Sequence, residues 1–310
     1  MSLAIVFPGQ GSQSVGMLSA LGEYYPVIKD TCDEASEVLG YDVSDLMRNG
    51  PEQELNRTEK TQPALLTAGI ATWRLWQSRG GQSPVILAGH SLGEYTALVA
   101  AGVLSFQDAV KLVRERGKLM QAAVPEGVGA MAAILGLEDE QVKQVCSESA
   151  QGQIVSAANF NSPGQVVIAG NKEAVNRAID NARAAGAKRA ILLPVSVPSH
   201  CLLMEEAAKQ LREVMDQVAF INGNISVIHN VDADIHSEPE AIKNVLAAQL
   251  YQSVQWVKSV QSMAGQGVTR IFEFGPGKVL AGLIKRIDKS IETFTIYDPD
   301  TLESVLTQNS

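Results

Sequence analysis

Ser91 stands at the centre of the pentapeptide Gly89-His90-Ser91-Leu92-Gly93, which has the pattern G-x-S-x-G. The apolar run Pro84 to Ala88 precedes it, and a segment of helical periodicity follows from Leu92. In a strand, sharp turn and helix, this pattern presents a serine hydroxyl at the tip of the strand, because the glycines permit a strained turn. The pattern therefore predicts that Ser91 is a nucleophile. The alternative is a serine that caps a helix between two turn glycines.

A serine nucleophile needs a base, and the sequence contains four histidines. His90 adjoins Ser91, so its ring should leave the turn in another direction. His200 follows Ser199, a candidate helix cap, and the residues three, four and seven positions beyond His200 are apolar, which predicts a helix that turns His200 inward. Because a helix N-terminus disfavours an imidazolium, we expect a neutral ring that can accept a proton. The alternative is a histidine satisfied within the core.

Arg116 is a charged residue with apolar neighbours in a predicted helix that Ser105 opens. The residues three and four positions away on either side are Leu112, Val113, Leu119 and Met120. The guanidinium should therefore project from the apolar face, whereas Arg114, with two lysines around it, is expected to be solvated. A buried guanidinium needs a partner. That partner is either a protein carboxylate or a substrate carboxylate held by two hydrogen bonds, and the sequence leaves both open.

The glycine-rich stretch Phe7 to Met17 follows the first apolar run of the chain. It fits neither phosphate-binding pattern, because Ser14 replaces the third glycine of the dinucleotide motif and Met17 replaces the lysine of the phosphate loop. Acyl transfer to a serine requires N–H donors where the oxyanion develops, one from the residue after the nucleophile and one from another loop. Leu92 can supply the first N–H, and Gln10, between two glycines, can supply the second.

The elements that position these residues follow from the alternation of apolar runs with helical segments. To about residue 125 this alternation favours an α/β domain with a largely parallel sheet, including helices from about Ser14 and from Gln62 to Arg79. The following stretch has the order β-α-β-β-α-β of a ferredoxin-like unit, with a turn at Asn161 to Gly164 and a last strand at Lys188 to Val195. The sequence therefore predicts a parallel-sheet core with an inserted subdomain.

The chain length sets the expected domains. With 310 residues, of which 45% are hydrophobic and 19% charged, the chain can bury a core for one large domain with an insertion. We expect a catalytic domain of residues 1–127 and 197–310 and a ferredoxin-like subdomain of residues 128–196.

Composition and charge argue against several classes of function. A net charge of −9 argues against a nucleic-acid-binding protein. We find no signal peptide, and no apolar run approaches the roughly 20 residues of a spanning helix, so we expect a cytoplasmic protein that does not bind membranes. Cys32, Cys146 and Cys201 are too scattered for a disulfide framework or a metal site and should be reduced, mostly buried thiols.

Five stretches occur together in an order that closely resembles the malonyl-CoA:acyl carrier protein transacylases of the dissociated bacterial fatty acid synthesis system. They are Phe7 to Gln13, Gly89 to Glu94, Arg116 with Gly117 and Met120, Asn159 to Gln165, and Pro198 to His200. The likeness covers nearly the whole chain. It implies a hydrolase-like core with a ferredoxin-like insert. It also implies these site residues: Ser91 as nucleophile, His200 as base, Gln10 with the Leu92 N–H as oxyanion donors, and Arg116 as the clamp on the malonyl carboxylate.

The resemblance also implies that a backbone carbonyl orients the base, and Gln249 matches that position. Asp232 is the acid that a search for an ordinary triad would name. Met120 and Asn161 are expected at the substrate site, and the Gly275-Pro276-Gly277-Lys278 turn is expected to be structural rather than a phosphate loop.

The implied activity moves malonyl from malonyl-CoA to the phosphopantetheine thiol of holo acyl carrier protein. A malonyl-serine intermediate gives ping-pong kinetics, and the product supplies fatty acid elongation. No cofactor or metal is expected, and the family expectation is a monomer. The carrier protein is acidic, so a local basic surface is expected to bind it, and the candidates are Lys188, Arg189, Lys285 and Arg286.

Other functions stay open at this stage. A thioesterase or lipase-like hydrolase uses the same Ser-His chemistry. A patatin-like lipase is disfavoured because we find no Asp-Gly-Gly or Asp-Gly-Ala motif. A carrier-binding module without catalysis, or a subunit of a larger synthase, is disfavoured by the intact set of Ser91, His200 and Gln10. The sequence does not separate fatty acid from polyketide synthesis.

Overall fold

The computed structural model describes residues 2–195 and 197–307. Its strands are β1 (Ser2–Phe7), β2 (Ile86–Gly89), β3 (Gly129–Leu135), β4 (Val155–Ser162), β5 (Gln165–Asn171), β6 (Arg189–Leu192), β7 (Ser226–Ile228), β8 (Val268–Phe274) and β9 (Glu292–Ile296). Its helices are α1 (Ser19–Tyr24), α2 (Pro26–Leu39), α3 (Val43–Asn49), α4 (Glu52–Leu55), α5 (Thr58–Ser78), α6 (Leu92–Ala100), α7 (Phe106–Ala123), α8 (Asp139–Ala150), α9 (Lys172–Ala184), α10 (Glu205–Asp216), α11 (Pro239–Gln249), α12 (Trp256–Gly265), α13 (Val279–Ile287) and α14 (Pro299–Thr307).

The larger sheet of the described residues has the strand order β7-β2-β1-β8-β9, and its neighbouring strands are parallel. The register pairs Phe7 with Gly89 and Ala88 with Ile228, so the carboxyl ends of β1, β2 and β7 lie side by side. In open parallel sheets, ligands bind at the carboxyl ends of the strands. This edge is therefore where the fold brings the loops after three strands together.

Helices cover both faces of this sheet. Successive side chains of a strand point to opposite faces, and both faces of a parallel sheet are buried. Phe7 of β1 and Phe274 of β8 face α5, where Trp76 contacts Phe274 at a ring-centroid distance of 5.7 Å. On the opposite face, Val6 packs in the cluster that contains Trp256 of α12. Successive residues of β1 thus enter different clusters, so this strand is buried on both sides.

The smaller sheet has the order β4-β5-β3-β6, with antiparallel neighbours, and α8 and α9 connect and cover its strands. Within this segment the strand order is 2-3-1-4, which is the order of a ferredoxin-like unit. The predicted fold class, a mainly parallel α/β core with an inserted β-α-β-β-α-β segment, is confirmed. From the two sheets we propose the division into residues 1–127 with 197–310 and residues 128–196; residues 1, 196 and 308–310 lie outside the described residues.

Several predicted element boundaries were wrong. The first helix begins at Ser19 rather than near Ser14, because Gly16 and Leu18 have φ angles of 89° and 62°. Helix α5 begins at Thr58, four residues before the predicted start, and contains Pro63 in its interior. Strand β6 ends at Leu192, short of the predicted Val195, because Pro194 has no N–H for the sheet.

Within residues 2–195 and 197–307, no helix is long and apolar enough to cross a membrane.

Candidate active site

The turn that carries Ser91 connects β2 to α6 and has a strained backbone. Ser91 has φ 51° and ψ −108°, outside the regions that residues other than glycine ordinarily adopt. A Cβ at Gly89 would lie 1.9 Å from the carbonyl carbon of Gly93, and a Cβ at Gly93 would lie 2.0 Å from the oxygen of Phe7. Only glycine fits at either position, because the first turn of α6 packs directly against β1 and β2. The predicted strand, sharp turn and helix are confirmed.

The side chain of Asn230, fully buried after β7, holds this turn in place. The N–H of Ser91 donates to Asn230 Oδ1 at 2.7 Å, and Asn230 Nδ2 donates to the oxygen of Gly89 at 2.7 Å. These bonds offset part of the strain. Asn230 was not predicted from the sequence to be a site residue. Its one signal was its position after a strand of the sheet that carries Ser91.

His200 lies between Ser91 and a backbone carbonyl. The carbonyl oxygen of Gln249 can only accept, so His200 Nδ1 donates to it, at 2.6 Å. Nε2 then carries the lone pair and accepts the hydrogen bond of Ser91 Oγ at 2.9 Å. Asp232 pairs instead with His236 Nε2 at 2.7 Å. The structure therefore brings Ser91, His200 and Gln249 together and keeps Asp232 occupied elsewhere.

The predicted helix start at Ser199 was wrong. Helix α10 begins at Glu205, and His200 has a φ angle of 62°, which does not occur within a right-handed helix. The N–H of His200 donates to the oxygen of Leu250 at 2.9 Å, so this loop is held against the end of α11. The ring is nevertheless buried, as expected, with 3% of the residue exposed. Burial, and after it the charge of Arg116, lowers the pKa of His200 to about 3. These two effects, rather than the expected helix N-terminus, keep the imidazole ring neutral.

Arg116 projects from α7 into the site and is 1% exposed. Nη1 donates to Gln62 Oε1 at 2.8 Å; Nη2 donates to Gln249 Oε1 at 2.9 Å and to Ser91 Oγ at 3.2 Å. Nε has no partner among the described residues. None of these hydrogen-bond partners is a carboxylate, so the protein-carboxylate alternative does not occur in the described part of the chain. A buried guanidinium whose described partners are neutral, and which lies beside the Ser91 hydroxyl, is suited to bind a carboxylate of a substrate.

The electrostatics of Arg116 agree with this arrangement. Burial lowers the pKa of Arg116, and the neighbouring Tyr95 and Glu94 partly oppose that shift.

Arg114, on the same helix, is half-buried and donates to the oxygen of Leu39 at 3.2 Å, so the prediction that it is simply solvated was wrong.

A cavity of about 250 Å³ opens beside Ser91 between the two sheets. The sequence-predicted site residues that line it are Gln10, Ser91, Leu92, Arg116, Met120, Asn161 and His200. The remaining one, Gln249, lies fully buried behind Arg116 and His200. Within the described residues, the N–H groups of Gln10 and Leu92 have no intramolecular acceptor. The cavity thus combines a serine hydroxyl, a neutral imidazole, two N–H groups and a guanidinium.

His90 leaves the turn away from Ser91 and holds Asn161 at the cavity wall. His90 Nε2 donates to Asn161 Oδ1 at 2.8 Å, and the ring lies 5.6 Å from that of Trp256. Burial lowers the pKa of His90, which favours its neutral form. With Oδ1 accepting from His90, the amide nitrogen of Asn161 is left as its donor group.

The N–H donors that follow the glycine turn after β8 already bind a carboxylate of the protein itself. The N–H groups of Leu280 and Ala281, at the start of α13, donate to the two carboxylate oxygens of Glu273 at 3.1 and 2.8 Å. A phosphate would need these same donors. The turn therefore has the structural role expected from the sequence.

Residues 4–295 match the model of a family described as the acyl transferase domain. A protein of Salmonella typhimurium named malonyl CoA-acyl carrier protein transacylase is 55% identical over 305 residues, which cover 98% of this chain and 99% of that protein. The protein of that name from Bacillus subtilis is 47% identical over 302 residues, with coverages of 97% and 95%.

Solved structures of proteins with related names are similar to this chain over nearly its whole length. An acyl carrier protein S-malonyltransferase from Vibrio cholerae superposes with a TM-score of 0.97 at 55% identity, covering 98% of this chain and 100% of that one. A malonyl-transacylase in complex with its type II polyketide synthase acyl carrier protein superposes with a TM-score of 0.99 at 54% identity, covering both chains completely at 100%. The likeness therefore includes the core, the insert and the cavity between them.

Proposed function

The chain belongs to the acyl transferase domain family, and from that membership and the geometry of its site we propose its function. It is an acyl carrier protein S-malonyltransferase, which moves the malonyl group of malonyl-CoA to the phosphopantetheine thiol of holo acyl carrier protein. The observation that supports the malonyl group is the buried guanidinium of Arg116, whose Nη2 lies 3.2 Å from Ser91 Oγ and whose bonded partners are all neutral.

In the first half-reaction, His200 Nε2 takes the proton of Ser91 while Oγ attacks the thioester carbonyl of malonyl-CoA. The new bond joins Oγ to the acyl carbon, the carbon–sulfur bond breaks, and the proton passes from His200 to the leaving CoA thiolate. The N–H groups of Gln10 and Leu92 are positioned to stabilise the oxyanion. Gln249 acts through its carbonyl, because the hydrogen bond from His200 Nδ1 keeps Nε2 unprotonated and directed at Ser91.

Arg116 binds the free carboxylate of the malonyl group. Three bonds separate that carboxylate carbon from Ser91 Oγ in a malonyl-serine, so the carboxylate comes within reach of a guanidinium that lies beside Oγ. Its negative charge offsets the cost of burying Arg116. Met120 and Asn161 line the same cavity, and we assign them to contacts with the acyl group.

In the second half-reaction the carrier thiol attacks the malonyl-serine ester, and His200 receives the thiol proton and returns it to Ser91. One thioester is exchanged for another, so no nucleotide energy is needed, and we propose neither a cofactor nor a metal. We assign the enzyme to the cytoplasm as a monomer that supplies fatty acid elongation and binds neither nucleic acid nor membranes.

Intact-mass spectrometry tests this function. After brief mixing with malonyl-CoA, we expect one malonyl group on Ser91, located by peptide mapping. Adding holo acyl carrier protein should remove it as malonyl-carrier appears. Decay of the adduct to free malonate in the presence of carrier would identify a hydrolase instead. The absence of an adduct would contradict covalent catalysis.

The acylation rate should depend little on pH in the acidic range. A general base acts unprotonated, and a His200 pKa of about 3 keeps it unprotonated down to about pH 4. We therefore expect kcat/KM for CoA thioesters to stay flat from about pH 8 to about pH 5 and to fall only as the pH approaches that pKa. Acetyl-CoA serves as the control substrate, because it has no carboxylate of its own to titrate. A fall centred near the ordinary histidine value of 6.5 would show that the base is not held neutral.

We propose the basic surface formed by Lys188, Arg189, Lys285 and Arg286 as the carrier-binding surface. All four residues are exposed. Arg286 Nη1 donates to Gln165 Oε1 at 2.6 Å, and Gln165 and Arg189 pair with the same residue of β3 from its two sides. The surface therefore joins helix α13 to the antiparallel sheet. Val279, at the start of the helix that carries Lys285 and Arg286, lines the cavity, so this helix connects the basic surface to the site.

Reversing one charge on this surface should weaken carrier binding alone. For Arg189→Glu we expect KM for holo acyl carrier protein to rise about three- to tenfold, because like charges then face each other, with acylation by malonyl-CoA unchanged. Lys209→Glu, on α10, changes the net charge equally and is the matched control. Equal effects of the two variants would remove this surface from the proposal.

A further inference from the structure

Glu94 is a buried carboxylate in the second layer of the site, and the reaction steps above do not use it. The residue is fully buried in the first turn of α6. Oε1 accepts from His229 Nδ1 at 2.7 Å. Oε2 accepts from the backbone N–H of Asn230 at 3.0 Å and from Gln249 Nε2 at 2.7 Å. Glu94 is thus bonded both to the asparagine that holds the Ser91 turn and to the glutamine beside Arg116.

The side chain of Gln249 connects Glu94 to Arg116. Its Nε2 donates to Glu94 and to the oxygen of Ser91 at 3.0 Å, and its Oε1 accepts from Arg116 Nη2 at 2.9 Å. A flipped amide would place its NH₂ against a guanidinium, which has only donors, and its oxygen against two acceptors. Together with the oxygen of Ser91 and the guanidinium itself, the carboxylate of Glu94 therefore fixes which end of the Gln249 amide faces Arg116.

The orientation of this amide matters because the hydrogen-bond partners of Arg116 in the described part of the chain are all neutral groups. Gln62 and Gln249 are its two amide acceptors, and Ser91 Oγ is the third partner. When Ser91 is acylated, its hydroxyl is replaced by an ester oxygen, and the two glutamines are the contacts that keep the guanidinium directed at the acyl group. Loss of the Gln249 contact would leave one amide oxygen to position a long side chain.

We propose that Glu94 is a positioning residue for acyl-group selection: through Gln249 it orients Arg116 toward the carboxylate of the malonyl group. This role rests on the proposed function of the site. Glu94 does not touch the substrate, and it acts on discrimination between carboxylated and uncarboxylated acyl groups rather than on the chemistry at Ser91.

The geometry predicts opposite results for two replacements of Glu94. In Glu94→Gln, the new carbonyl oxygen can still accept from Gln249 and Asn230, while the new NH₂ faces His229 Nδ1. His229 Nε2 has no partner among the described residues, so the histidine can move its proton to Nε2 and accept at Nδ1. Glu94→Gln therefore preserves the contact to Gln249, whereas Glu94→Ala removes it.

The test compares kcat/KM for acylation of Ser91 by malonyl-CoA and by acetyl-CoA. For Glu94→Ala we expect the malonyl-to-acetyl ratio to fall about tenfold, as for loss of a hydrogen bond to a charged group. For Glu94→Gln the ratio should stay within about twofold of the unmodified enzyme. In an Arg116→Ala background, Glu94→Ala should not change the ratio further, because its effect passes through the guanidinium.

Glu273→Ala is the matched control, since Glu273 is also a buried carboxylate but bonds only the start of α13. It should lower the free energy of unfolding and leave the ratio unchanged. If Glu94→Ala does not fold, Glu94→Asp, whose carboxylate is withdrawn by one methylene, should show an intermediate ratio. Equal losses for both acyl groups, or a further change of the ratio in the Arg116→Ala background, would overturn the role of Glu94. Absence of malonyl transfer by the unmodified enzyme would instead overturn the proposed function.

Discussion

An enzyme carrying Ser91→Ala should form no malonyl adduct and should lose about 10⁴-fold or more of its transfer rate, as other serine acyl-transfer enzymes do when the nucleophile is removed. The physical reason is that the Ser91 hydroxyl is the group in the cavity that is hydrogen-bonded to both His200 and Arg116. Without Oγ, no serine oxygen is available to attack the CoA thioester in the first half-reaction. Intact-mass spectrometry with malonyl-CoA and a carrier-transfer assay measure the two losses separately.

Ser259→Ala is the control for this variant. Ser259 is also fully buried, lies on α12, and donates to the oxygen of Gln255 at 3.2 Å, away from the cavity. Its replacement should leave both the adduct and the transfer rate within about twofold of the unmodified enzyme. An adduct of unchanged yield in Ser91→Ala would show that another residue is the nucleophile.

Replacing Arg116 by alanine should lower kcat/KM for malonyl-CoA about 10²-fold relative to acetyl-CoA. Removing one partner of a buried charge pair costs about 2–5 kcal/mol, and each 1.4 kcal/mol is about tenfold. The acetyl group has no carboxylate and therefore loses little. The comparison of the two substrates, acylating the same Ser91 in the same variant, separates acyl-group binding from general damage to the site.

Arg114→Ala provides the matched control, because it removes the same side chain from the same helix. Arg114 bonds the oxygen of Leu39 and does not line the cavity. We expect it to leave the malonyl-to-acetyl ratio unchanged. Equal losses for malonyl and acetyl groups in Arg116→Ala would show that Arg116 serves only to position Ser91 and His200.

The sequence left a hydrolase and a non-catalytic carrier-binding module open as alternatives to a transferase. Membership of the acyl transferase family, with relatives named transacylases over nearly the whole chain, makes this chain an enzyme rather than a carrier-binding module. A hydrolase shares the Ser-His pair, but it has no need of a buried guanidinium beside the nucleophile. The proposed carrier-binding surface, on α13 and at β6, suits an acidic carrier protein as the acyl acceptor.

Much of the site was predictable from local patterns. The G-x-S-x-G turn was recognisable because glycine alone fits positions 89 and 93, where a Cβ would meet backbone atoms. The inward direction of Arg116 followed from its apolar helical neighbours. The order β-α-β-β-α-β was predictable because each element of the insert has its own periodicity and its own turn signals.

The predictions failed where backbone conformation depends on distant contacts. Ser199 looked like a helix cap, yet His200 adopts a φ angle of 62° because its N–H bonds Leu250 from another helix. The helix was predicted to start at Gln62, yet α5 begins at Thr58 and continues through Pro63. Local propensity gives way at both positions to tertiary contacts.

The sequence by itself determined the turn that carries Ser91 and the direction of the Arg116 side chain, because these depend on residues within a few positions of one another. It also determined the fold class, because each strand and helix has its own periodicity and the order of these elements is read directly from the chain. Only the tertiary structure decided which groups surround Arg116 and His200. Gln62, Gln249, Asn230 and Glu94 come from different helices and loops, and their separation along the chain leaves no periodic signal. Side-chain amides that bond in a buried layer are chosen by the three-dimensional positions of donors and acceptors, which exist only once the parallel strands have brought their carboxyl ends to one edge.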